Sequence, residues 1–196
     1  MRAFFFLVLL FLPVPALADD AATYYIPPGQ FSAVMQVMNL GFSNIFGFFQ
    51  NATGSFAFDE QNKNISKLRL AIDGQSLVTG NPQNQRDFFD LLGIAENPEI
   101  RFTSIDATPF KDGKASIKGT LTLHGTSKPV TLDATLNRAG KSPYAGGMWN
   151  SEGDALGLSI RGSIKRTDFG MADDPEMPTR FGDTLMLQLE MQALKQ

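Results

Sequence analysis

The chain of 196 residues has no cysteine and a single histidine, His124. Without cysteine there is no disulfide to staple a small fold, no thiolate nucleophile, and no attachment point for an N-terminal lipid anchor. One histidine and no cysteine cannot assemble the usual zinc site, and carboxylates alone would hold a hard cation only loosely. Asp173 and the run Asp174-Pro175-Glu176 therefore read as a solvated acidic loop, and no metal ligand is assigned. Clustered basic charge is absent too. There are 17 Lys and Arg against 20 Asp and Glu, a net charge of -3, and no stripe of them could track a phosphate backbone. Nucleic acid is thus not expected as a partner. His124 stands beside Gly125 with no carboxylate or hydroxyl at a spacing typical of a dyad, so it reads as a turn residue. No catalytic residue is assigned, and the chain is not expected to be an enzyme.

Long apolar runs are also lacking, with one exception. Arg2 is followed by an apolar stretch from Ala3 to Leu12 and then by Ala16-Leu17-Ala18, directly before Asp19-Asp20. This is the three-part pattern of a secretory signal with a small-x-small cleavage site. A run of about ten apolar residues, broken by Pro13 and Pro15, is well short of the roughly 20 that span a bilayer. Residues 1–18 are expected to be removed, leaving 19–196 as one soluble exported domain.

What is plentiful is alternation. Phe56 and Phe58 share a face in TGSFAFD, and Leu68, Leu70 and Ile72 alternate with Lys67, Arg69 and Ala71. Ile117, Gly119, Leu121 and Leu123 do so in ASIKGTLTL, as do Leu156, Leu158, Ile160, Gly162 and Ile164 in LGLSIRGSI. Leu185, Leu187, Leu189, Met191 and Ala193 form one face of TLMLQLEMQAL. FSAVMQVMN at 31–39 and IRFTSIDATPF at 100–110 supply further strands. Polar, glycine-bearing joins separate them, as antiparallel hairpins require. The one helical candidate is NQRDFFDLLGI, short because Gly93 and Pro98 stop it, and placed to cover an opening between strands. About eight strands, each with one dry face, leave two arrangements: a sandwich or a closed barrel.

The apolar surplus suggests a use. Of 17 phenylalanines, 13 lie beyond residue 18. Phe42, Phe46, Phe88, Phe89 and Phe102, with Met35, are candidates for the wall of a slot that takes a long apolar ligand. Gly119 and Gly162 fall on dry strand faces, where the absent side chain marks a bend or bulge or leaves room for that ligand. The inward Leu121 and Ile160, and Phe169, complete the candidate ligand-binding set.

Several segments, in order, resemble the YceI-like family of exported bacterial proteins. LTLHGTSKPVTL is similar to its most recognisable hairpin. IKRTDFGM at 164–171 resembles its Arg-Ser/Thr-Asp-Phe-Gly segment. RDFFD with NPEIRFTS resembles the family's Asp-Phe-Phe and Pro-x-Ile-x-Phe-x-Ser pair, and IDGQSLVTG its Ser-Leu-x-Thr element. The matches run from about Tyr24 to Leu194. Two departures stand out: Pro28, Gln30 and Phe31 replace the polar residues usual near the first strand, and Asn39-Leu40 stands where a histidine commonly precedes the glycine matching Gly41. The resemblance implies an all-β protein, an extended antiparallel eight-stranded lipocalin-like barrel with a short helix. It further implies a periplasmic location and the binding, storage or transport of a polyisoprenoid or similar long-chain amphiphile. An isoprenoid lipid or quinone is the expected bound molecule, with no covalent cofactor. Transient membrane contact is compatible with such cargo. The competing reading is an envelope or stress-response protein whose barrel is filled by its own side chains and acts through its surface.

Overall fold

The computed structural model describes residues 21–142, 153–171 and 180–196. The expected signal segment 1–18 and the acidic run at 173–176 lie outside the described residues.

Short turns with left-handed backbone set the meander. Asp112-Gly113 and His124-Gly125 each hold two consecutive residues at positive φ, at 51° and 73° and at 52° and 67°. Two such residues form the tight turn whose twist suits an antiparallel hairpin, and the glycine makes the second position inexpensive. They join β7 (Glu99–Ala107) to β8 (Lys114–Leu123) and β8 to β9 (Thr126–Lys141). β10 (Asp154–Lys165) and β11 (Phe181–Lys195) continue the antiparallel order. β1 (Ala22–Tyr25) pairs with both β11 and β4 (Ala52–Asp59), and β4 pairs with β5 (Asn64–Asp73), which pairs with β7. These eight strands close a ring, so the barrel and not the sandwich is the arrangement formed.

Three further strands extend the wall. β2 (Phe31–Asn39) continues β1 along β11, β3 (Ser43–Phe49) continues β4, and β6 (Leu77–Thr79) continues β5. Three neighbouring wall strands are thus interrupted at one level, at residues 26–30, 50–51 and 74–76. The expected helix follows β6 as α1 (Pro82–Leu92) and packs against β6 and β3. Asn81 Oδ1 caps it by accepting from Asn84 N at 2.8 Å, Pro82 opens it, and Gly93 ends it at a φ of 58°.

The alternation places the apolar faces inward. Leu68, Leu121, Leu132 and Ile160 are buried, and Leu187 is half-buried on the same side. One irregularity interrupts it: Lys67 sits at a φ of 55° where the β4–β5 register shifts, which lets both Ile65 and Leu68 face the core.

Candidate functional site: the barrel interior

The interior has three levels. At one end Tyr24 stacks on Phe56 with ring centroids 5.6 Å apart and meets the edge of Phe58, which in turn meets Phe110. Burial, and then the nearby Glu60 carboxylate, push the Tyr24 hydroxyl up to about 12, so it stays neutral there.

The opposite end is tied by polar contacts between distant segments. His124 packs its ring on Gly93, where a Cβ would come within 2.6 Å of His124 Cδ2, and its Nδ1 donates to the Phe169 carbonyl at 3.2 Å. Buried Arg166 donates from Nη1 to the Met171 carbonyl at 2.7 Å, and reaches the Gly182 and Phe181 carbonyls at 3.3 Å. Arg180 pairs with the buried Asp87 of α1, which also accepts from Gln83 Nε2 at 2.8 Å. Thr167 donates from both its backbone N and its hydroxyl to Asp183, and these bonds hold that carboxyl below the usual range.

Between the two ends lies an almost wholly apolar cavity with a free volume of about 50 Å³. Met35 and Phe49 come from β2 and β3, Leu70 and Ile72 from β5, and Ile100 and Phe102 from β7. Ala33, Val34, Arg101, Leu121, Leu123, Leu132, Leu187 and Leu189 complete it. Outside the wall, the three strand interruptions open a groove of about 550 Å³ lined by Pro28, Gly29, Gln50, Asn51, Asp73, Gln75 and Glu99. Ser76 Oγ fixes this level by accepting from Gln50 N and Asn51 N at 3.1 Å and donating to the Asp73 carbonyl at 2.6 Å. Ile72 lines both the groove and the inner cavity.

The candidate residues divide accordingly. Met35, Phe102 and Leu121 meet at the cavity. Ile160 is fully buried in the wall opposite Leu189. Phe88 is fully buried beneath α1 against Gly47, Phe89 is half-buried beside the core, and Phe169 is buried at the tied end. Phe42 and Phe46, expected along the slot, lie on the outer surface, because Ile45, Gly47 and Phe49 take the inward positions of β3. The room opened by the two glycines is already taken. A Cβ on Gly119 would lie 2.5 Å from the Thr103 carbonyl oxygen and run into the Phe102 ring, and one on Gly162 would lie 2.5 Å from Leu132 Cδ2. Among the described residues no group of three or more His, Cys, Asp or Glu could hold a metal ion.

Residues 24–193 match the YceI-like domain family. The chain belongs to that family. It is 33% identical over 158 residues to Protein YceI of Salmonella arizonae, covering 79% of this chain and 78% of the relative. With Protein YceI of Salmonella agona it shares 33% identity over 178 residues, 89% of this chain and 87% of that one. Among solved structures it is similar to the YceI protein of Campylobacter jejuni, at 25% identity and a TM-score of 0.65, covering 81% of this chain and 90% of that one. BcnA of Burkholderia cenocepacia gives 16% identity and a TM-score of 0.70 over 85% of this chain and 98% of its own. A polyisoprenoid binding domain from Saccharophagus degradans gives 13% and 0.61 over 89% and 99%. These last two speak to the fold.

In this YceI-like domain the family-like motifs fall largely at the tied end and at the strand interruptions. His124 belongs to the hairpin, Arg166 and Phe169 to the Arg-Thr-Asp-Phe-Gly turn, Asp87 and Phe88 to α1, and Ser76 to the interrupted β5–β6 wall. The motifs mark Arg166 and Asp87 as recognisable positions without showing that either is buried, and Arg180, the partner of Asp87, lies outside them.

Proposed function

We propose that this YceI-like domain binds a long-chain amphiphile, a polyisoprenoid lipid or isoprenoid quinone, and stores or carries it in the periplasm. The observation that carries this reading is the almost wholly apolar cavity between the two ends of the barrel, walled by Met35, Phe102, Leu121 and Leu187. A tail placed there escapes a cost of roughly 0.8 kcal/mol for each CH₂ left in water. The N-terminal pattern ending at Ala18 supplies the route out of the cytoplasm, and an aqueous compartment between membranes is where such a tail needs cover. The polyisoprenoid binding domain of Saccharophagus degradans, which shares the fold, supports the class of cargo. No catalytic group enters the proposal; the barrel's chemistry is shielding.

Volume sets the mode of binding. A ligand site usually offers roughly 300–1,000 Å³, against about 50 Å³ here. Uptake therefore requires the interior to open, and Met35 and the half-buried Leu187 are the adaptable parts of its wall. Ile72, between groove and cavity, is the side chain past which a tail would enter, leaving its head group among Gln50, Asn51, Asp73 and Gln75. The same small volume favours a second reading, in which the barrel is filled by its own side chains and acts through its surface.

Native mass spectrometry of the protein purified from its own cells, with lipid extraction of the same sample, tests the choice. The carrier reading expects a mass increment that is lost on delipidation and matches an extracted isoprenoid. A single unliganded mass, with no isoprenoid in the extract, would favour the self-filled barrel.

A further inference from the structure

The outer face of the β2–β3 hairpin differs from the rest of the surface. Charged residues make up 19% of the chain, yet no Asp, Glu, Lys, Arg or His occurs from Ala21 to Phe58. Phe42 in the turn is 91% exposed, and the outward Phe46 and Phe48 of β3 are 44% and 46% exposed. Cross-strand neighbours extend the patch: Phe48 lies between Val34 and Val78, while Gln36 links Phe46 to Met186. At the tip, Leu40 is 47% exposed and held at a φ of 51°, followed by Gly41 at 73°. Asn-Gly or Asp-Gly suits such a turn; a leucine there accepts backbone strain to put an apolar side chain outward.

A surface that meets only water gains nothing from this arrangement, whereas a surface that must be desolvated sheds its charges, because a stripped charge is costly. At about 200 Å² per ring, the three phenylalanines alone expose roughly 350 Å², within the range at which a patch on a monomer is usually functional.

We infer that the β2–β3 tip is a membrane-docking surface. Leu40 and Phe42 enter the hydrocarbon edge of a bilayer, and Phe46, Phe48 and Met186 settle at the level of the head groups. Charge matching selects this occupant: the hairpin itself carries no charge, and Arg180, whose carbonyl accepts from Leu40 N at 2.7 Å beside the tip, is already paired with Asp87, so the wall complements the neutral interior of a bilayer. The exposure is greatest at the tip, which suits insertion into a deformable phase. Two tips meeting head-on would leave most of the hairpin uncovered, short of the roughly 800 Å² per partner that a stable dimer buries. The opposite face of the same strands carries Ala33, Met35 and Phe49 into the inner cavity, so the docked strands are the wall between bilayer and barrel interior. The inference stands without the carrier reading, because vesicles free of any cargo read it.

Flotation with vesicles of phosphatidylcholine alone, and with vesicles of phosphatidylethanolamine and phosphatidylglycerol, tests it on the parent protein, Phe42→Asp, Leu40→Asp and Ile105→Asp. Ile105 is 73% exposed on β7, away from the hairpin, and serves as the control. The N-terminal segment is common to all four proteins, so differences between them report the tip. The parent and Ile105→Asp should float equally with both vesicle types and in high salt, while each tip variant loses about tenfold in bound fraction with an unchanged melting temperature. Failure of the parent to float, or equal flotation of parent and tip variants, overturns the inference. So does a parent dimer that Phe42→Asp dissociates without altering flotation, which would assign the patch to a second copy of the chain.

Discussion

At one end of the barrel, His124, Arg166, Asp87 and Arg180 tie together segments that lie far apart in the chain. At the other, Tyr24, Phe56, Phe58 and Phe110 close the interior by ring packing, and among the described residues the polar ties around the rings are the Phe110 N to Lys63 carbonyl bond at 2.7 Å, a long Tyr24–Glu60 contact of 3.4 Å and the partly exposed pairs of Lys195 with Glu60 and Asp154. Polar ties demand particular residues at particular places, because a buried carbonyl or charge left without a partner is costly. Ring packing accepts any apolar group of suitable volume. The end with polar ties is therefore where recognisable motifs gather, and those motifs report on how the barrel is sealed. The middle level, where a ligand would lie, is built from interchangeable Leu, Ile, Phe and Met and carries no comparable signature.

The difference between the two ends should be largest at Arg166. Replacing it with Met should cost about 4 kcal/mol, since the Met171, Gly182 and Phe181 carbonyls lose their donor together. Tyr24→Phe at the other end should cost about 0.5 kcal/mol. Denaturant unfolding of the two variants checks this, and equal losses would erase the distinction between the ends. Next in size is the middle level. Gly162→Leu drives a side chain into Leu132 and should cost about 3 kcal/mol by overpacking; an unchanged unfolding midpoint would mean that free volume exists beside Leu132 after all.

His124→Ala removes both the packing on Gly93 and the bond to Phe169, and should cost about 1.5 kcal/mol without altering binding of an isoprenoid, as differential scanning calorimetry and a binding assay together would establish. The smallest effect concerns Asp183. Its folded-state pKa is depressed by Thr167, so the carboxylate contributes stability above the unfolded value near ~3.9, and that contribution is lost as pH falls through the lower folded value. The stability gap between the parent and Asp183→Asn should narrow as pH is lowered from about 5 to about 3. A gap that stays constant would show that Asp183 titrates alike in both states.

Much of the fold was legible because alternation reports which face is dry. FSAVMQVMN coincides with β2, and the helix begins slightly earlier than its apolar spacing suggests, because Asn81 and Pro82 cap and open it. Eight wall strands appear as eleven segments because the interruptions at 26–30, 50–51 and 74–76 are local departures in register, which composition does not reveal. The site was less legible. Phe42 and Phe46 belong to a ring-rich stretch, but richness does not say which side of β3 faces the core; Ile45, Gly47 and Phe49 fill the inner side with a smaller total of rings. Of the two readings of Gly119 and Gly162, a bend or bulge and added room, the second fails because a missing side chain says nothing about the neighbour that leans into its place, here Phe102 and Leu132, while the first suits Gly119, whose partner Ser104 borders a register shift. His124 was legible as a turn residue; its contact with α1 depends on Gly93, more than thirty residues away in sequence.

The proposed carrier role requires above all that the middle level admit a tail. Isothermal titration of the delipidated protein with an isoprenoid quinone of medium chain length, repeated at several temperatures and salt concentrations, examines that directly. A carrier should show saturable uptake of one molecule per chain, a negative heat-capacity change from apolar burial, and little dependence on salt. A delipidated protein that keeps its β-sheet spectrum and its melting transition yet gives no saturable heat at any temperature would contradict that role.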